Sequence, residues 1–305
     1  MFFRRASTPI LIAFALSLVT TSANASSAET GGVCALLEPD PTEALVSIPF
    51  RTIDGRIYLD AQVNGTGPYR FALDTGASGI GRADASLVEG LRLATDGEDE
   101  SSDGVSSAVV GKVRIGSLAL GALEHRDVSL IARDYRSRMA SESAFSGILG
   151  RAFFADGLLA IDFAGKRLNF YRTREMRPSL SGAIVYERAF RIPVALGELH
   201  TTGNIDTGAN VTLVLPGPIY DKVHATALEP SGDGNLTNTR ITTSKARIAG
   251  PVRIGGMLLE NVPVTVAADY PEVLVGAHAL HDQILLIDQR HKTLAICPAA
   301  EDPTD

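Results

Sequence analysis

Phe71-Ala-Leu-Asp74-Thr75-Gly76-Ala77-Ser78-Gly79 and Gly203-Asn-Ile-Asp206-Thr207-Gly208-Ala209-Asn210 are two versions of one arrangement. In each, an apolar strand runs into Asp-Thr-Gly-Ala and stops. The carboxylate therefore sits at a strand end, on a turn whose glycine lets another backbone approach closely. A single such tripeptide signals little, because an Asp-Thr-Gly is also an ordinary Asx-type turn. Two copies at matching places in a longer repeat signal much more.

The surrounding spacing carries that repeat. Lys112-Val-Arg-Ile-Gly116 returns as Pro251-Val-Arg-Ile-Gly255, and Ile148-Leu149-Gly150 returns as Leu274-Val275-Gly276. Asp162 and Asp288 each follow their glycine by 12 positions, and Lys166 and Lys292 each follow their Asp by four. From Asp74 to Gly150 is 76 positions and from Asp206 to Gly276 is 70, a difference that loops absorb. The chain reads as two similar lobes, residues 44–172 and 183–297, joined by a linker at 173–182, with a tail at 298–305.

Within the first lobe, Ala44 to Thr52 reads as a strand. It turns at Asp54-Gly55 into Arg56 to Val63, which turns at Asn64-Gly65 into the strand that delivers Asp74. Ala83 to Leu93 holds a short helix. The polar stretch Thr95 to Ala108 is either a loose loop or a hairpin over a cleft. Val109 to Ile115, Leu118 to Leu123 and Val128 to Ala132 then read as three strands. In the second lobe, Phe190 to Leu196 and Leu199 to Ile205 deliver Asp206, Pro218 to Leu228 matches the short helix, and Gly232 to Ala246 matches the polar hairpin. With 29 Gly and 15 Pro scattered through 305 residues, the expected class is all-β and bilobal.

Residues 1–25 have the features of a signal peptide. Arg4 and Arg5 precede an apolar run at Pro9 to Val19 too short to span a bilayer, and Ala23-Asn24-Ala25 matches a cleavage site. This places the mature chain in the periplasm or outside the cell. Residues 26–43, rich in Ser, Gly, Pro and Glu, read as a flexible leader. Without the first 25 residues the formal charge moves from −7 to −9, with 26 basic against 35 acidic side chains, which argues against a nucleic-acid partner. No other run is long and apolar enough to span a membrane. Cys34 and Cys297, at opposite ends of the mature chain, are the disulfide candidates in an oxidising compartment; two unpaired thiols are the alternative.

Two lobes related by a pseudo-two-fold axis bring equivalent residues face to face. At the Asp-Thr-Gly turns that juxtaposition makes a carboxylate pair. Carboxylates about 3 Å apart hold one proton between them. The ionised member activates water and the protonated member polarises an amide carbonyl, with no metal and no Ser or Cys nucleophile required. Thr75 and Thr207 suit this geometry, since a hydroxyl under each turn reaches the opposite lobe. His278 and His281 stand at helical spacing, but no further ligand joins them in the sequence, and they read as a solvated face; neither metal nor cofactor is expected. The sequons at Asn64, Asn210 and Asn235 read as incidental.

On Asp74-Thr75-Gly76-Ala77, Asp206-Thr207-Gly208-Ala209 and the motifs ending at Gly150 and Gly276, the chain resembles the aspartic peptidases. The likeness spans nearly all of residues 44–297. The alanine after each Asp-Thr-Gly, and the size of each half, are similar to the retroviral type, so the resemblance implies two retropepsin-like units in one chain, monomeric as an intramolecular dimer. It implies Asp74 and Asp206 as the catalytic pair, Thr75, Gly76, Ala77, Thr207, Gly208, Ala209, Gly150 and Gly276 as their support, and an extended peptide or protein as substrate. A catalytically silent peptide-binding or scaffold protein is the alternative. Two departures stand out. Thr95 to Ala108 lacks the aromatic that pepsin-like enzymes carry on the first flap, and Asn210 replaces the counterpart of Ser78. Ala77 and Ala209 offer no hydroxyl to favour the charged carboxylates, so a mildly acidic optimum is expected.

Overall fold

A computed structural model describes residues 32–37, 43–188 and 190–299. The signal-peptide reading of residues 1–25, and most of the leader and the tail, lie outside the described residues.

The chain is mostly β and bilobal, built from three curled sheets. The first lobe is an eight-stranded sheet. Its centre is Thr66–Asp74, with Arg56–Val63 on one side and Gly147–Gly150 on the other. Arg56–Val63 also pairs with Ser107–Leu120, which curls the sheet round on itself. The second lobe is a nine-stranded sheet in which Leu199–Asp206 lies between Arg191–Leu196 and Val273–Gly276 in the same manner. A six-stranded sheet underlies both. Val46–Pro49, Leu158–Asp162 and Arg167–Tyr171 come from the first half, and Ile184–Val185, Gln283–Asp288 and Thr293–Pro298 from the second. Its central seam pairs Leu158–Asp162 antiparallel with the strand ending at Asp288. The strands of this seam are buried almost throughout, and their side chains read Leu-Leu-Ala-Ile against Ile-Leu-Leu-Ile. Strands covered on both faces are expected to be continuously apolar, so the two halves are fused at their base by burial.

The tight turns follow residue chemistry. Asp54-Gly55 and Asn64-Gly65 both have positive φ at the two central residues (49° and 76°, 52° and 70°), the conformation a two-residue hairpin requires. Other readings are corrected. Ala44 to Thr52 is not one strand: it breaks at buried Phe50, and Val46–Pro49 joins the base sheet while Arg51–Ile53 joins the first lobe. Three strands between Val109 and Ala132 are in fact two long ones, Ser107–Leu120 and Leu123–Arg133, reversing at Gly121, whose φ is +58°. The second-half helix shrinks to Gly217–Tyr220. The linker 173–182 packs against the base sheet. Met176 is fully buried, and its N–H donates to Asp288 Oδ2 at 3.0 Å.

The leader also needs correction. Val33–Leu37 forms a 3₁₀ turn with Val33 buried, and Cys34 is disulfide-bonded to Cys297 on the last strand. The bond closes a separation of 263 residues. In the chain-entropy treatment so long a loop contributes about 5 kcal/mol. Cys34→Ser is therefore expected to lower the thermal midpoint by roughly 10 °C or more. A melt under non-reducing conditions checks this, and an unchanged midpoint would show that the bond ties down only the terminus.

Candidate active site

Each Asp-Thr-Gly turn is placed by a parallel strand pair. Phe71 to Asp74 pairs with Gly147 to Gly150 and Gly203 to Asp206 pairs with Val273 to Gly276, so Asp74 lies opposite Gly150 and Asp206 opposite Gly276. The reason for glycine at 150 and 276 is contact. A Cβ on Gly150 would stand 2.6 Å from the Gly79 carbonyl oxygen, and one on Gly276 would stand 2.2 Å from that of Val211. Both oxygens belong to the segment leaving the Asp-Thr-Gly turn.

Thr75 and Thr207 are buried under the turns and exchange four hydrogen bonds between lobes. Thr75 Oγ1 donates to the Ile205 carbonyl at 3.0 Å and accepts from Thr207 N at 3.0 Å. Thr207 Oγ1 donates to the Leu73 carbonyl at 3.0 Å and accepts from Thr75 N at 3.1 Å. Each hydroxyl thus satisfies one donor and one acceptor that burial would leave stranded. Thr75→Val or Thr207→Val keeps the volume and strands both, at a cost of ~2–4 kcal/mol. Chemical denaturation checks this: Thr→Ser should restore most of the loss, and equal stability of the Val variants would contradict the geometry.

Asp74 and Asp206 meet above these threonines, each carboxyl group lying against the glycine of the other lobe's turn. The turns enforce the approach. A Cβ on Gly76 would fall 2.6 Å from Asp206 Oδ2, and one on Gly208 would fall 2.6 Å from the Asp74 carboxyl carbon. Within its own turn, Asp74 Oδ1 accepts from Ala77 N at 2.9 Å and Asp206 Oδ1 from Gly208 N at 2.8 Å. Burial, then the adjacent Asp74 charge, push the Asp206 carboxyl well above the ordinary carboxylate range, against the opposing pull of the Gly208 N–H.

Several neighbours carried no repeat or motif of their own. Arg56 Nε donates to the Gly208 carbonyl at 2.8 Å and its Nη2 to Asn210 Oδ1 at 3.0 Å, so the first lobe braces the second lobe's turn. Arg151 Nη1 donates to the Gly76 carbonyl at 3.2 Å. Asn210 also bonds Asp54, which has His278 Nε2 at 3.3 Å; His281 pairs with Asp282 instead. No group of three His, Cys, Asp or Glu side chains placed to hold a metal occurs among the described residues.

The two polar stretches are hairpins, and their tips lock together. Asn238 N donates to Asp103 Oδ2 at 2.7 Å, and Asn238 Nδ2 donates to the Ser101 and Ser106 carbonyls at 2.8 and 3.0 Å. Ser106 Oγ and Thr239 Oγ1 share a further bond. Burial pushes Asp103 up, but the hydrogen bonds from Ser106, Asn238, Val105 and Thr239 outweigh it and hold its carboxyl below the usual range. The latch therefore persists at mildly acidic pH and weakens only as pH falls through that depressed value. Two half-buried tyrosines outside the hairpins, Tyr135 and Tyr270, feel the charge of the carboxylates. Burial raises Tyr135 to about 12, with Asp74 among the charges acting on it, and raises Tyr270 further, with Asp206, Glu272, Asp103 and Asp74 acting on it. They end a shared pattern, Ala132-Arg-Asp-Tyr135 and Ala267-Ala-Asp-Tyr270, which the sequence reading passed over.

Residues 59–153 match the family model for aspartyl proteases. The matched span contains Asp74-Thr75-Gly76 and Gly150, and it stops before the second Asp-Thr-Gly. No curated protein matches the chain. The aspartyl protease match supports a peptidase hydrolase.

Proposed function

We propose that this chain is a secreted or periplasmic aspartic endopeptidase that works as an intramolecular dimer of two retropepsin-like units. The close approach of Asp74 and Asp206 at the junction of the lobes, each against the glycine of the other's turn, carries the reading. Such a pair has one ionised and one protonated member, and both are needed.

In this mechanism the Asp74 carboxylate takes a proton from water as the water oxygen bonds to the scissile carbonyl carbon. Asp206 gives its proton to the carbonyl oxygen, and a neutral tetrahedral gem-diol results. The proton on Asp74 then passes to the leaving nitrogen as the C–N bond breaks. A gem-diol hydroxyl returns its proton to Asp206, which closes the cycle. The threonine exchange holds the two groups at fixed separation, so little reorganisation is needed at reaction. The latched hairpins suit an extended chain threaded between lobes, with its backbone pairing to a hairpin edge. The signal-peptide pattern and the Cys34–Cys297 disulfide together support an oxidising compartment, and no helix among the described residues is long and apolar enough to cross a membrane.

Incubating the mature chain with a diverse peptide library, and reading fragment masses, tests the proposal. Internal cuts that disappear in Asp74→Asn and Asp206→Asn support it. Absence of cuts, with retained peptide binding, would instead identify a silent binding protein.

A further inference from the structure

The two carboxylates are matched, but the walls beside them are not. Alternate residues of a strand share a face, so Ala72 lies on the face that carries Asp74, and Asn204 on the face that carries Asp206. Cross-strand partners extend each face. Ala72 is flanked by Tyr58 and Ile148. With Phe145 and Ala77 they form a buried cluster separate from the main core, against which Tyr135 and Met139 pack. The Phe145 ring lies 6.5 Å from Tyr58 and 5.6 Å from Tyr135. The part of this cluster beside the first carboxylate, Ala72, Ile148 and Phe145, is wholly aromatic and aliphatic, while the unpartnered hydroxyls of the cluster belong to Tyr58 and Tyr135.

The same positions in the second lobe read differently. Asn204 is flanked by Arg191 and Leu274. The Arg191 guanidinium donates to the Glu272 carboxylate, so the pair is internally neutralised. Asn204 Oδ1 is buried with no hydrogen-bond partner. A buried amide oxygen left dry is costly, and a ligand that supplies the missing donor removes that cost. With Arg191 already paired to Glu272, no cation beside Asn204 among the described residues is free to receive a further carboxylate, which would also face the charge of the Asp74–Asp206 pair.

Successive side chains of an extended peptide point to opposite sides, so neighbouring residues over the carboxylate pair face opposite lobes. We propose that the cleft selects adjacent residues of unlike chemistry: a large apolar side chain against Ala72, Ile148 and Phe145, and beside it a neutral donor side chain, Asn, Gln, Ser or Thr, against Asn204. This deepens the reading of the site as a peptide cleft and rests on it. Acidic side chains are excluded from the second position. Aliphatic ones are disfavoured there, because they would cover the Asn204 amide without bonding it.

The test is a random displayed-peptide selection on the full mature chain carrying Asp74→Asn, repeated with Asn204→Leu added, followed by exposure of the selected peptides to the unsubstituted chain. The expected selection pairs an apolar position with a neighbouring Asn, Gln, Ser or Thr, enriched tenfold or more over Leu or Val. Asn204→Leu should turn that neighbour aliphatic and leave the apolar position alone. Apolar preference at both positions, or no response to Asn204→Leu in a chain that melts normally, overturns the inference. Should Asn204→Leu fail to fold, Arg191→Met, which frees Glu272, is expected to admit Lys and Arg at the second position, and an unaltered preference counts against the proposal. Patterned peptides that are bound but never cut by the unsubstituted chain would sink the peptidase reading alone. Cutting between two aliphatic residues would sink the inference alone, and no selection at all would sink both.

Discussion

Asp74→Asn and Asp206→Asn are each expected to lower peptide turnover by ~10²–10⁴-fold, the range that loss of a positioned acid or base commands. The two substitutions remove different things. Asn at 74 cannot take a proton from water, so the attacking oxygen is not activated. Asn at 206 leaves Asp74 ionised but removes the proton that polarises the substrate carbonyl. Because the pair acts as a unit, the double variant should be little worse than either single one. Folding should survive, since the amide keeps the acceptor that each turn's own N–H uses. Steady-state kinetics on one cleavable peptide, with a melt of each variant, decide the matter. Additive losses, or full activity in either variant, would mean that the chemistry resides elsewhere.

Alanine at Gly76 or Gly208 is expected to be nearly as damaging, by a different route. The added methyl carbon would stand 2.6 Å from an atom of the opposing carboxyl group in either turn. That is well inside van der Waals contact, and the neighbour is a half-buried carboxyl group held by its own turn's N–H. The turn must shift, and displacement by about 1 Å costs on the order of 10²-fold in rate where geometry carries the catalysis. The two variants should behave alike, since each disturbs the carboxylate of the other lobe. Comparison with Gly79→Ala gives a control on the same chain segment: a Cβ there meets nothing within 4 Å, although its φ of +75° adds some strain. Turnover that falls no further at 76 and 208 than at 79 would contradict the close approach described here.

Much of this site was readable before any coordinates, because it is written locally. A carboxylate at a strand end, a glycine in its turn and an apolar-apolar-Gly strand beside it are short-range patterns, and duplication made them stand out from chance. The hairpin turns at Asp54-Gly55 and Asn64-Gly65 were legible for the same reason, since few residues accept positive φ. What escaped was set by partners distant in sequence. Nothing near Asn238 says that its amide meets Ser101 and Ser106, more than 130 residues away. Arg56 looked like any strand arginine until the fold put it under Gly208. Phe50 interrupts what alternation reads as one strand, because the chain changes sheets there. The Ala-x-Asp-Tyr pair was visible in principle, but its distance from the Asp-Thr-Gly turn differs between halves.

The central claim is that one hydrogen ion is held between Asp74 and Asp206, on Asp206. Its sign can be worked out. A carboxyl raised on folding binds its proton more tightly in the native chain, so it contributes stability at low pH that is lost as pH climbs from the ordinary carboxylate range through the raised value. Carboxyl-carbon NMR titration of aspartate-labelled protein, assigned with Asp206→Asn and compared with Asp74→Asn, measures this directly. Asp206 should titrate well above ordinary carboxylates and move down when Asp74 is replaced, remaining somewhat high from burial alone. An Asp206 resonance that titrates in the ordinary range, or that ignores the loss of Asp74, would contradict it.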